Sequence, residues 1–216
     1  MSHLRIVLVA IAISIGMGHY LSRQPAFIHG TAQNCVVEVV SYKRSLLGLV
    51  SDGGGSGVFI TRNGVVLTAA HVVDQSPVAS VYLPNGTVKR YVRVAFNRGN
   101  DLAILVPVKP VKTPFVELGA VPAIGDKVYA MAFPSGAGKS FTTGHIAAFK
   151  EWLITTVPIA HGSSGGALLN STGGLVSLIS GFYDANDTNS WQGFTFSPPY
   201  ETLKDFLEKY EPVYQR

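Results

Sequence analysis

From Asn34 onward, apolar and polar positions fall into short runs, and none has a helical period until the last twenty or so residues. The runs are "CVVEVVSYK", "SGVFITRNGVVLTAA", "VASVYLPNGTVKRYVRVAFN", "LAILVPV", "KVYAMAF", "FTTGHIAAF", "WLITTVPI", "GALLNSTGGLVSLISGFY" and "WQGFTFS". They are rich in β-branched and aromatic residues and are separated by Gly, Asn, Pro and Ser, the composition of strands joined by turns. Two contain Asn-Gly between alternating runs, at Asn63-Gly64 and Asn85-Gly86, the strongest short-range hairpin signal. No helical pattern intervenes, so antiparallel strands in a barrel or sandwich are predicted, not a parallel α/β sheet. The glycine run "DGGGSG" at 52–57 reads as a turn leading into the first hairpin.

A single helix is predicted near the end, over about 198–210. Ser197 is placed to cap it, Pro198 and Pro199 suit its first positions, and Tyr200, Leu203, Phe206, Leu207 and Tyr210 share one face. At the other end, Arg5 precedes an uncharged apolar run from Ile6 to Gly18. Residues 1–18 therefore read as a signal peptide or membrane anchor, with membrane association through residues 6–21 if His19 to Leu21 sit in the interface. Residues 19–34 show no periodicity and read as a linker.

Composition supports an all-β domain: charged residues are only 14% of the chain, which excludes a disordered or coiled-coil protein, and 23 glycines with 12 prolines supply many turns. The net charge of +4 is carried by scattered Lys and Arg with no basic stripe, so a nucleic-acid partner is not expected. The lone Cys35 forms no internal disulfide and reads as a buried thiol in a strand. No Cys/His cluster has metal-ligand spacing, so neither metal nor other cofactor is expected. "GAGKS" at 136–140 lacks the earlier glycine of a phosphate-binding loop, because residue 133 is Phe.

The chemistry-bearing residues are His71 in "VVLTAAHVVD", Asp101 in "GNDLAILVPV" and the serines of "AHGSSGGALLN". Hydrolysis by a serine hydroxyl needs a base, a carboxylate that orients the base, and donors for the oxyanion; these segments offer all three kinds of group. Asp74 is a rival orienter by proximity in sequence, His161 lies three residues before Ser164, and His145 reads as a strand surface residue.

With these segments in the order His, Asp, Ser, the chain resembles the trypsin-like serine peptidases, and within them the HtrA/Deg-like group without its PDZ module. The resemblance covers about residues 35–210. It rests on "GSGVFITRNGVVLTAAHVV", "DLAIL", "GSSGGALLNSTGGLVSLI", "MAFPSGAGKSFTTGHIAAF" and "GFTFSPPYETLKDFL". It implies a peptidase domain at 35–216 of two antiparallel six-stranded β-barrels, about 35–115 and 116–200, with the active site between them and the short helix after. It also implies that Asp74 lies on a short solvated helix and that the domain is a homotrimer.

The family places glycine two before the nucleophile and two glycines after it, which matches Ser164 with Gly162, Gly165 and Gly166 and not Ser163. The implied triad is His71, Asp101 and Ser164, and the implied oxyanion donors are the N–H groups of Gly162 and Ser164, with that of Ser163 nearby. By position, Pro158, Ile159, Ala160, Ile179, Ser180 and Gly181 line the pocket for the side chain before the cleaved bond. His161 reads either as part of that cleft or as a solvated loop histidine. None of these residues is acidic, so small or medium apolar side chains are expected over Lys or Arg.

The chain departs from the family pattern at Ser163, where Asn or Asp is usual, and at Ala167, where Pro is frequent. The first departure leaves open how the oxyanion loop is held in its active shape. The function implied is an exported serine endopeptidase, periplasmic, membrane-anchored or secreted, acting on protein or peptide substrates through an acyl-enzyme; the alternative is a catalytically weak or inactive relative that uses the cleft to bind polypeptide at the cell surface.

Overall fold

The structure is a computed structural model, and it describes residues 25–26, 28–45, 48–135, 137–183 and 193–214. The signal or anchor expected at 1–18 lies outside the described residues. Among the described residues, no helix is long and apolar enough to cross a membrane.

Strands β1 (Val36–Ser45), β2 (Gly48–Phe59), β3 (Val66–Thr68), β4 (Val78–Tyr82), β5 (Val88–Asn97) and β6 (Leu102–Pro107) form a closed barrel in the order β1-β2-β3-β6-β5-β4. Every ladder is antiparallel, and β1 closes the barrel on β4 through Glu38–Ser41. Both Asn-Gly pairs stand in tight connections, β2 to β3 and β4 to β5, with Gly64 and Gly86 at φ 87° and 80°. The unbroken apolar run "LAIL" of β6 has a physical reason: its two faces are both buried. Ala103 and Leu105 point into the barrel with Phe59 and Val66, while Leu102 and Ile104 join the core between the barrels.

The second half comprises β7 (Lys127–Ala132), β8 (Ser140–Phe149), β9 (Leu153–Thr155), β10 (Ala167–Leu169), β11 (Leu175–Leu178), β12 (Gly181–Phe182) and β13 (Thr195–Ser197). These make a seven-stranded antiparallel sheet in the order β11-β10-β7-β8-β9-β13-β12. Six strands closed on themselves were expected here. The edges of this sheet are two- to four-residue strands, too short to form a closing ladder, and it curls around its own core of Val128, Ile146, Leu153, Val157, Leu168, Val176 and Ile179.

Helix α1 (Tyr200–Tyr214) buries Leu203, Phe206, Leu207 and Tyr214 in a core that also contains Val36, Val58 and Leu67 of the first barrel and Tyr129, Met131 and Leu169 of the second half. This shared core fixes the two halves relative to each other, and burial of side chains of this size is worth about 1.5–3 kcal/mol each.

Three local expectations are corrected. Ser197 does not cap the helix; it is the last residue of β13, its hydroxyl is buried without a partner, and the first helical bond runs from Leu203 N–H to Pro199 O at 3.0 Å. Part of the expected linker is ordered structure: residues 28–32 are helical, with Ile28 and Ala32 buried in the shared core beside Cys35. The glycine run at 52–57 lies within β2 and pairs with β1. Close approach, not turning, explains its Gly55, where an added Cβ would lie 2.6 Å from Val72 and 2.7 Å from Ser164 O.

Candidate active site

His71 stands in a 3₁₀ turn, Ala70–Val73, that begins directly after β3. Its neighbours Ala70, Val72 and Val73 are buried, which anchors the turn and leaves the imidazole half-exposed. Asp101 sits just before β6 and is the only described non-glycine residue with positive φ, 52°. A short acidic side chain tolerates this left-handed conformation best after Gly and Asn, and the turn is tied by Asn100 N–H to Asn97 Oδ1 at 3.1 Å.

β3 and β6 are ladder neighbours, so the residues just beyond their paired ends meet. Asp101 Oδ1 accepts the His71 backbone N–H at 3.0 Å, and both carboxylate oxygens lie 3.0 Å from His71 Nδ1. The nearly buried carboxylate thus holds the ring by Nδ1 and leaves Nε2 for other work. Asp74 is elsewhere engaged, in an ion pair with Arg98 at 2.9 Å.

Ser164 enters the same cleft from the second half, in the loop before β10. The cleft, about 240 Å³, is lined by His71, Ile159, Ala160, His161, Ser164, Ser180, Gly181 and Phe182. The Ser164 hydroxyl donates to Ser180 O at 3.0 Å and not to His71. Hydrogen bonds between a nucleophile and its base are often unformed without substrate.

The loop before Ser164 is pinned peptide by peptide. His161 O accepts the Ser135 N–H at 2.8 Å. In a trans peptide the C=O and following N–H point oppositely, so the Gly162 N–H is directed away from the Ser135 turn. Gly162 has φ 88°, and an added Cβ would come within 2.6–2.9 Å of Ser135 and Phe133 O. Among the described residues, neither the Gly162 nor the Ser164 N–H meets an acceptor.

The expected nearby donor, Ser163 N–H, is already committed to Ala160 O at 3.0 Å. Ser163 is buried, and its hydroxyl also accepts from Ala160 N at 3.3 Å. It closes the loop on itself and is not available to an oxyanion.

Of the residues assigned to the pocket, Ile159, Ala160, His161, Ser180 and Gly181 line the cleft. Pro158 and Ile179 do not. Pro158 is exposed, its carbonyl accepting from Thr142 Oγ1 at 2.9 Å, and Ile179 is fully buried in the core of the second sheet. His161 and Phe182 meet edge to face at 5.3 Å, which places the histidine in the cleft wall. Phe182 escaped the sequence reading because β12 is two residues long and has no alternating pattern of its own.

Comparison with known proteins agrees with this architecture. The family profile described as "Trypsin-like peptidase domain" matches residues 55–178. Serine endoprotease DegS of Escherichia coli (strain K12) is 32% identical over 168 residues, covering 72% of this chain and 47% of DegS. A probable periplasmic serine endoprotease, DegP-like, of Buchnera aphidicola subsp. Baizongia pistaciae is 31% identical over 153 residues, covering 65% of this chain and 33% of the relative. The crystal structure of the serine endoprotease from Yersinia pestis superposes with a TM-score of 0.74 at 29% identity, covering 86% of this chain and 65% of that one. The chain thus spans about half or less of the length of these curated relatives. A profile match over more than half the chain, on a fold with a closed barrel and a curled second sheet, means that this chain belongs to the trypsin-like peptidase family, with HtrA-type DegS and DegP-like relatives.

Proposed function

We propose that the chain is a serine endopeptidase acting on polypeptides through His71, Asp101 and Ser164. The observation that carries this reading is the three-point hold of Asp101 on His71, two contacts to Nδ1 and one to the backbone N–H, in a cleft shared with Ser164. Such a hold selects the tautomer whose Nε2 accepts a proton and stabilises the imidazolium that follows.

In the proposed cycle, Ser164 Oγ leaves Ser180 O, transfers its proton to His71 Nε2 and attacks the scissile carbonyl carbon. The resulting oxyanion takes the free N–H groups of Gly162 and Ser164. Collapse of the tetrahedral intermediate breaks the C–N bond, His71 returns its proton to the leaving amine, and water, activated by His71, hydrolyses the acyl-enzyme. The wall of Ile159, Ala160 and Phe182 favours a small or medium apolar side chain before the cleaved bond. The periplasmic setting named for DegP-like relatives supports export of this chain as well.

Parallel Ser164→Ala and Ser163→Ala variants test the assignment. Loss of about 10⁴- to 10⁶-fold in kcat is expected for the first, with measurable activity in the second, because Ser163 acts through loop closure only. Labelling of the parent by a fluorophosphonate at Ser163, or equal loss in both variants, overturns it. The bond from Ser164 to Ser180 favours a second reading, a cleft that binds polypeptide without cutting it. A parent that neither labels nor cleaves denatured protein supports that reading instead.

A further inference from the structure

Ser56 lies in β2 of the first barrel and is fully buried, yet its N–H and its hydroxyl are both spent on the active-site loops. Its N–H donates to Ser164 O at 2.7 Å, and its C=O accepts the Thr68 hydroxyl at 2.7 Å. Its hydroxyl donates to Gly162 O at 2.9 Å and accepts the Phe133 N–H at 2.8 Å. One side chain thereby joins the first barrel to two loops of the second half, 106 and 77 residues away in sequence.

The two loops are themselves joined by Ser135 N–H to His161 O. The peptide before Gly162 is therefore held through His161 O by the 133–135 turn, and the peptide after it through Gly162 O by Ser56. Ser56 also positions that turn by way of Phe133. Each peptide flanking the proposed oxyanion donor is thus fixed from the face opposite its own N–H.

We infer that Ser56 is a positioning residue for catalysis: its buried hydroxyl holds the Gly162 loop and the 133–135 turn together so that the Gly162 N–H is aimed before substrate arrives. This rests on the endopeptidase reading and answers how the loop is held in a chain with Ser at position 163. Ser56 touches no reacting atom; it acts through Gly162. A donor misplaced by about 1 Å can cost on the order of 10²-fold in rate.

The test compares the full-length parent with Ser56→Ala and with Ser56→Cys, which is close in size but a weak donor. Three quantities are read: kcat and KM on a fluorogenic peptide with a small apolar residue before the cleaved bond, the Ki of the matching peptide aldehyde, and the rate of fluorophosphonate labelling. For Ser56→Ala, kcat and labelling are expected to fall about 10- to 100-fold, the aldehyde Ki to rise by a similar factor, and KM to stay within about twofold. Ser56→Cys should fall between, and it carries the test alone if the alanine variant does not fold. An active parent whose variants keep kcat and aldehyde affinity, losing only thermal stability or KM, overturns the positioning role and leaves the endopeptidase reading intact. A parent that neither cleaves nor labels at Ser164 overturns both.

Discussion

Replacing Gly162 by Ala tests the oxyanion loop most directly, because the structure sets the size of two separate effects. The first is backbone strain: at φ 88° an added Cβ costs about 1–2 kcal/mol. The second is contact: the Cβ would lie 2.6 Å from Ser135 N, 2.7 Å from Ser135 Oγ and 2.9 Å from Phe133 O. Two of these atoms are backbone, so relief requires the loop and turn to separate, which breaks the bond from Ser135 N–H to His161 O. One lost hydrogen bond adds about 1 kcal/mol, and in a chain of this length a total near 2–3 kcal/mol lowers the thermal midpoint by roughly 5–10 °C.

A displaced donor should also cost about 10²–10³ in kcat. Gly173→Ala is the control: φ is 85°, nothing lies within 4 Å of the added Cβ, and the residue is in the β10–β11 turn. It carries the same strain without the clash, so it should lose stability and keep kcat. Calorimetry, peptide hydrolysis and the peptide-aldehyde Ki on the three proteins separate the effects. If Gly162→Ala loses no more kcat than Gly173→Ala, the Gly162 N–H is not the donor and the loop argument fails.

Other expectations follow from the same geometry. Asp101→Asn removes the charge that selects the His71 tautomer and should lower kcat by about 10⁴-fold with little change in KM; a loss under tenfold refutes that role. Phe182→Ala enlarges the cleft wall and should shift kcat/KM toward larger apolar side chains before the cleaved bond by roughly tenfold, read from a panel of peptides differing at that residue alone. Burial pushes the Cys35 thiol from 9.0 up to about 11, against the opposing pull of the Lys139 ammonium. The folded value lies above the unfolded one, so this stabilisation is complete below about pH 9 and is lost as pH rises toward 11, by about 2–3 kcal/mol. Urea midpoints of the parent should therefore fall more steeply across pH 9–11 than those of Cys35→Ala; parallel curves would contradict it.

What the sequence determined by itself was what short-range physics encodes. Alternating runs and Asn-Gly pairs specify strands and hairpins because they act within a few residues, and the terminal helix was readable from its apolar stripe. The segments around the proposed triad of His71, Asp101 and Ser164 stand out in the sequence for a similar reason. Each carries its chemistry in a contiguous motif; the structure places His71 and Ser164 in one cleft, and Asp101 against His71 just beyond the paired ends of β3 and β6.

Only the tertiary structure decided how that cleft is held. A serine between two glycines looks like part of a turn, and nothing local distinguishes Ser56 from any other; its role arises because β2 carries it to backbone atoms of residues 133 and 162. The same holds for Ile28, whose segment has no period yet fills a core shared by both halves, and for Ser197, which precedes two prolines but is claimed by β13. Backbone carbonyls and N–H groups are alike at every position, so the sequence does not specify which ones will meet. The choice is made when two cores of different sequence segments pack and leave one buried hydroxyl where the loops converge.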